Sequence, residues 1–161
     1  MLPFGLSDIL GKFMKVYETH SPEETIKIAY EMALCAKAGD ILTLEGDLGV
    51  GKTLFASGFA KGLEIDEPIS SPTFTIVQEY EDGRLPLYHF DVYRIGDPEE
   101  MDEVGFDDYL NGGGICLIEW ADLIEELIPD EAIRIYIEKD LDAGYDYRRI
   151  TVDSYENIRN R

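Results

Sequence analysis

Between residues 41 and 53 the chain reads ILTLEGDLGVGKT, and no other stretch restricts the fold as much. Ile41, Leu42, Thr43 and Leu44 form an apolar and β-branched run ending in Glu45. Gly46, Asp47, Leu48, Gly49, Val50, Gly51, Lys52 and Thr53 follow, with Leu54 in the first turn of a helical pattern. The spacing is G-x-x-x-x-G-K-[ST] between a strand and a helix, the context that a phosphate-binding loop (P-loop) requires. Glycines there adopt positive φ and bring backbone N–H groups against phosphate oxygens. The helix N-terminus behind them adds orphan donors and a partial positive charge. Lys52 is expected to reach β- and γ-phosphates, and Thr53 to offer its hydroxyl to Mg²⁺. A chance match to this pattern is expected in fewer than roughly 1% of chains of this length.

The 161-residue chain is expected to form one domain around that loop, with residues 1–11 as an N-terminal extension. No apolar stretch approaches the roughly 18 residues of a membrane span, and MLPFGLSDILGKFMK lacks the basic start of a signal peptide. The protein is therefore expected in the cytoplasm. Cys35 and Cys116 make no disulfide framework, and Cys116 lies in an apolar run that reads as core. Acidic residues outnumber basic ones 34 to 14, for a net charge of −20. Autonomous nucleic-acid binding needs clustered Lys and Arg, so a basic protein partner fits this chain better than DNA or RNA.

Along the chain, residues 12–18 read as a strand. Ser21, Pro22, Glu23 and Glu24 form a helix start, with a cap, a first-turn proline and a glutamate near the third position. That helix is expected from Pro22 to Ala38, with Ile26, Tyr30, Ala33, Leu34 and Lys37 giving the helical spacing of one face and Gly39 ending it. Phe55, Phe59 and Leu63 share a face of a helix over residues 52–63. A hydroxyl-rich loop, ISSPTFT, precedes a strand at 74–80. Asp82-Gly83 then predicts a hairpin to a strand at 85–92, with His89, Asp91 and Tyr93 on one side. Asp97-Pro98 opens a helix to about Val104, and Phe106–Leu110 is a further turn. Asn111–Gly114 reads as a flexible link. Ile115, Cys116, Leu117 and Ile118, ending at Glu119, read as a central strand buried on both faces. Residues 121–127 read as helical, and strands are expected at 133–137 and 147–152, paired with each other. Together these patterns predict an α/β fold.

A P-loop enzyme places an acid near Mg²⁺ at the end of an apolar strand. Asp91 and Glu119 both end such strands. Glu119 follows the more uniform run and is assigned to the metal, which leaves Asp91 to position or activate water. The SPTFT loop occupies the place of a switch segment, where Thr73 or Thr75 could sense γ-phosphate or Mg²⁺. No N-K-x-D element is present, so ATP is the expected nucleotide. A small-molecule kinase of the P-loop class is the alternative. Such kinases need an arginine-bearing lid, whereas Arg84, Arg94, Arg134, Arg148 and Arg149 are scattered.

SPEET, ILTLEGDLGVGKT, SPTFTIVQEY, YHFDVYR, GFDDYL, LIEWAD and the closing Arg148-Arg149-Ile150 occur in one order over residues 15–153. In these motifs the chain resembles the TsaE (YjeE) family, the P-loop ATPase of bacterial tRNA threonylcarbamoyladenosine synthesis. The resemblance implies a P-loop NTPase-like three-layer fold, with a mixed parallel and antiparallel sheet between helices. It implies ATP and Mg²⁺ as cofactors, and slow hydrolysis. It also implies association with the TsaB–TsaD pair, in which TsaD modifies adenosine 37 of tRNA, with ATP use resetting the complex between turnovers. By the same resemblance, Lys52 and Thr53 look like the phosphate and Mg²⁺ ligands, Glu119 like the Mg²⁺-associated acid and Asp91 like the residue needed for hydrolysis. Thr73 looks like the switch threonine, Trp120 like the tryptophan beside the nucleotide, and Thr25 like a contact at the adenine end.

Overall fold

The apolar runs ILTLE, LYHFD and ICLIE become neighbouring parallel strands at the middle of one sheet. The computed structural model describes residues 13–154, so the expected extension over residues 1–11 lies outside the described residues. Seven strands are present among the described residues: β1 (Phe13–Thr19), β2 (Ile41–Glu45), β3 (Val77–Tyr80), β4 (Leu87–Asp91), β5 (Ile115–Glu119), β6 (Ile133–Lys139) and β7 (Arg148–Ser154). Their order is β1-β7-β6-β2-β5-β4-β3. β2 runs parallel to both β5 and β6, and β4 parallel to β5, while β1–β7, β6–β7 and β3–β4 are antiparallel. The expected mixed sheet is thus observed. No described helix is long and apolar enough to cross a membrane.

Paired positions share a face, which divides the core in two. Leu42, Leu44, Leu87, Leu117, Ile133 and Ile135 face α1 (Pro22–Leu34) and α2 (Lys52–Gly62). Ile41, Tyr88, Phe90, Cys116 and Ile118 face the other layer. That layer is built from a 3₁₀ turn over Pro98–Asp102, α3 (Phe106–Leu110) and 3₁₀ turns over Ala121–Leu127 with a break at Ile124. The result is three layers, as the sequence resemblance implied. Burial pushes the Cys116 thiol up to about 12, which suits a core residue.

Helix α1 starts as expected: Ser21 Oγ accepts from the Glu24 N–H at 3.2 Å, and Glu24 Oε1 accepts from the His20 N–H at 3.1 Å. Its packing face differs from expectation. Ala29 and Ala33 are fully buried, whereas Tyr30 and Leu34 are 43% and 55% exposed. The cause lies on α2. A Cβ on Gly62 would stand 2.5 Å from the Tyr30 carbonyl oxygen, and one on Gly58 2.7 Å from that of Ile26. The two helices meet backbone to backbone, so small residues form the contact and large ones turn outward. α1 also ends at Leu34, not Ala38. Arg84 reaches back to its last turn, donating from Nη2 to the Ala33 carbonyl at 2.6 Å.

The Asp-Gly hairpin joins β3 and β4 antiparallel, but through a six-residue connection, 81–86. Gly83 serves close approach here: a Cβ would meet the Leu63 carbonyl oxygen at 2.4 Å. β4 itself is buried along its whole length and pairs parallel with β5. It is therefore an inner strand, between β5 and β3, and the side carrying His89 and Asp91 is buried with the rest. Of the Asn111–Gly114 stretch only Gly114 is buried, and its carbonyl accepts from the Gly39 N–H at 2.8 Å.

Candidate functional site

Open α/β sheets bind ligands outside the carboxyl ends of their parallel strands. Here β2, β4 and β5 end together in Glu45, Asp91 and Glu119, beside a cleft of about 430 Å³. The loop leaving β2 uses positive φ at Gly46, Gly49 and Gly51, of +152°, +81° and +108°. At Gly46 a side chain is excluded twice over, since a Cβ would stand 2.5 Å from the Ile137 carbonyl oxygen. Gly51 caps α2 without any side-chain hydrogen bond, which leaves the first-turn amides of that helix open to an anion.

Lys52 is 6% exposed. Its ammonium donates to the Gly46 and Asp47 carbonyls at 2.5 and 3.1 Å, and lies 4.0 Å from the centre of the Trp120 ring. Burial holds its pKa below the usual lysine value; the nearby carboxylates Glu119, Glu45, Asp91 and Asp47 act in the opposite direction. Leu48, Gly49, Gly51, Thr53 and Leu54 line the cleft with it. Val50 is buried beneath, and its carbonyl accepts from Arg148 Nε at 2.7 Å. Arg148 of β7, two strands away from β2, therefore pins the loop.

Asp91 and Glu119 are direct register partners, 4% and 3% exposed, and both line the cleft. Asp91 Oδ2 accepts from Ser71 Oγ at 2.5 Å and from Thr73 Oγ1 at 3.3 Å, while Oδ1 accepts from the Tyr93 N–H at 3.0 Å. The hydroxyl-rich loop is thus tied to the strand-end acid. Glu119 is paired instead with His89, 2.6 Å away. Two residues on this rim have positive φ without being glycine: Ile76 at +70° and Trp120 at +63°. Such strain clusters at ligand clamps and switch segments. Tyr93 packs on Trp120 with ring centres 4.8 Å apart, and Arg94 lies 4.4 Å from the centre of the Phe74 ring.

The structure therefore brings Lys52, Thr53, Thr73, Asp91, Glu119 and Trp120 to one cleft. It does not bring Thr25 there. That hydroxyl is 2% exposed and bonded to Thr19 Oγ1 at 2.8 Å, joining α1 to β1. Ser71 is not distinguished in sequence from the other hydroxyl residues of its loop, yet its i, i+2 spacing to Thr73 places both in reach of Asp91. Arg148 carried no local signal, because its partner is 98 residues away.

Glu45 is a further site-edge group. Burial, with the Asp122 carboxylate beside it and Glu125 farther off, raises its pKa from 4.5 to about 8. The folded protein holds a proton there that the unfolded chain releases, so this contribution to stability is full below about pH 4.5 and lost as pH rises through 8. Glu45→Gln keeps an acceptor for the Asp122 N–H, which lies 2.9 Å from Oε1, and removes the charge. The variant is expected to gain melting temperature over the parent by an amount that grows from pH 5 to pH 8.5. An equal difference at both pH values would sink this account.

The sheet order, the glycine loop between β2 and α2 and the paired strand-end carboxylates define the P-loop class of α/β fold. Comparison with known proteins narrows this. The family model described as "Threonylcarbamoyl adenosine biosynthesis protein TsaE" matches residues 19–150. The chain belongs to the TsaE family. It is 54% identical over 141 residues to the tRNA threonylcarbamoyladenosine biosynthesis protein TsaE of Bacillus subtilis, covering 88% of this chain and 86% of that protein. The TsaE of Treponema pallidum is 36% identical over 134 residues, 83% of this chain and 96% of that one. The crystal structure of Bacillus subtilis YdiB superposes with a TM-score of 0.78 at 48% identity, covering 91% of this chain and 88% of that chain.

Proposed function

We propose that this chain binds ATP with Mg²⁺ in the cleft and hydrolyses it slowly, as the nucleotide-using subunit that lets TsaB and TsaD form threonylcarbamoyladenosine in tRNA through repeated turnovers. The observation that carries the nucleotide reading is the uncapped start of α2 behind three positive-φ glycines, with Lys52 at its mouth. Lys52 spends its hydrogen bonds on two loop carbonyls, contacts that phosphate oxygens would replace. The donor set opposite is all oxygen, a hydroxyl of Thr53 and strand-end carboxylates, which suits a hard cation held partly by phosphates. Bound Mg²⁺ would supply charge neutralisation across the β- and γ-phosphates.

Within that frame Thr53 and Glu119 hold the cation, and the α2 amides and Lys52 hold the phosphates. Asp91 orients the attacking water. Its Oδ2 is shared with Ser71 and Thr73, so the same acid senses whether the SPTFT loop is in place. The net charge of −20 supports a reading in which TsaB and TsaD hold the tRNA and this chain docks on them, in the cytoplasm. Purified chain, TsaB, TsaD, tRNA and threonylcarbamoyl-adenylate provide the test. Modification beyond one turnover is expected only with this chain and ATP together. Multiple turnover without either one would reject the assignment.

A further inference from the structure

We propose that His89 is a positioning residue for Glu119, fixing that carboxylate for the cation. This rests on the nucleotide and Mg²⁺ reading given above. Level with position 89, the sheet carries Leu42 on β2 and Leu117 on β5, both essentially buried and both on the face that packs against α1 and α2. One step nearer the cleft the same row carries Leu44, Glu119 and Asp91. A leucine at position 89 would complete the apolar row. The chain instead buries an imidazole that is 0% exposed.

Packing does not account for that choice. Nδ1 has no hydrogen-bond partner among the described residues, and an unpaired buried polar atom is costly. What the ring gains is one contact, from Nε2 to Glu119 Oε2 at 2.6 Å. A glutamate has three side-chain torsions, and a free one would sample several rotamers in the cleft wall. Holding Oε2 from below stops that motion and leaves Oε1 for the ligand side. Histidine and carboxylate exchange these parts often around metals: the outer partner orients the inner one, and losing it weakens metal binding about 10- to 100-fold. β4 thus delivers two functional groups two residues apart on one face, Asp91 at the cleft and His89 beneath the neighbouring acid.

The test uses the full chain and its one tryptophan, Trp120 at the cleft, as an optical reporter. ATP is titrated in EDTA, and Mg²⁺ is then titrated at fixed ATP. His89→Leu is expected to raise the half-saturating Mg²⁺ concentration about 10-fold or more, while ATP affinity in EDTA changes less than about twofold. His89→Gln, which restores an N–H donor, is expected to recover most of the Mg²⁺ response. Equal Mg²⁺ dependence in parent and His89→Leu overturns the proposal, as does equal weakening with and without Mg²⁺. A parent protein whose ATP binding ignores Mg²⁺ overturns the underlying reading instead. Should the variants not fold, the long-range nitrogen spectrum of the parent decides: a proton on His89 Nε2 supports the pairing, and a ring protonated only at Nδ1 overturns it.

Discussion

Lys52→Ala is expected to weaken ATP binding by at least about 100-fold. Charge-assisted hydrogen bonds contribute roughly 1.5–3 kcal/mol each, and a lysine spanning two phosphates makes more than one. Every 1.4 kcal/mol is about tenfold in affinity. The surroundings favour the upper part of that range. Lys52 is 6% exposed and sits against the Trp120 ring, so its charge is poorly screened. Because the same ammonium bridges the Gly46 and Asp47 carbonyls, the variant's urea midpoint must be measured beside its affinity. A Trp120 fluorescence titration showing near-parental affinity would remove Lys52, and with it the phosphate role of the loop.

The second large effect is expected at Asp91. Asp91→Ala should leave ATP affinity within a few-fold and lower turnover by about 100-fold or more, the usual scale for a lost acid–base or water-orienting group. The alanine also frees Ser71, Thr73 and the Tyr93 amide, three donors that converge on this carboxylate. Asp91→Asn separates the two consequences, since it keeps acceptor capacity for the loop while losing the charge. If the charge matters, both variants are slow. If only the loop anchor matters, Asn recovers turnover and Ala does not. Unchanged turnover in the alanine variant would exclude Asp91 from the chemistry.

What could be read from the chain depended on how local its cause was. The glycine loop, the Ser21 cap and the apolar run ending at Glu119 are written within a dozen residues each, and the structure has them where the sequence puts them. The packing face of α1 is not local. Ile26, Tyr30 and Leu34 have helical spacing and apolar bulk, yet Gly58 and Gly62 on another helix decide that only Ala-sized residues can face them. The polar residues of β4 depend on distant partners as well. The strand is buried along its whole length, with Tyr88 Oη donating to the Gly112 carbonyl and His89 Nε2 bonded to Glu119, partners 24 and 30 residues away. Asp82-Gly83 marks the hairpin but not its length: strands at 74–80 and 85–92 leave four residues between them where the structure has six, and Gly83 serves the approach to Leu63. At the cleft, residue types were legible and pairings were not. That Ser71 meets Asp91, or that Arg148 meets Val50, depends on strands far apart in the chain.

Strand order also sets a sequence of events during synthesis. The strand that launches the glycine loop is flanked by β5 and β6, which pair with it from roughly 75 and 90 residues farther along. At about 5–20 residues per second, the loop leaves the ribosome several seconds before either neighbour exists. Without them β2 has no partners, and neither Glu119 nor Trp120 has been made. A nascent or truncated chain that ends before Ile133 carries the full nucleotide motif and lacks one side of the framework that holds it. Under the proposed nucleotide reading, occupancy is therefore expected only in a chain that has been made, and folded, through its last third.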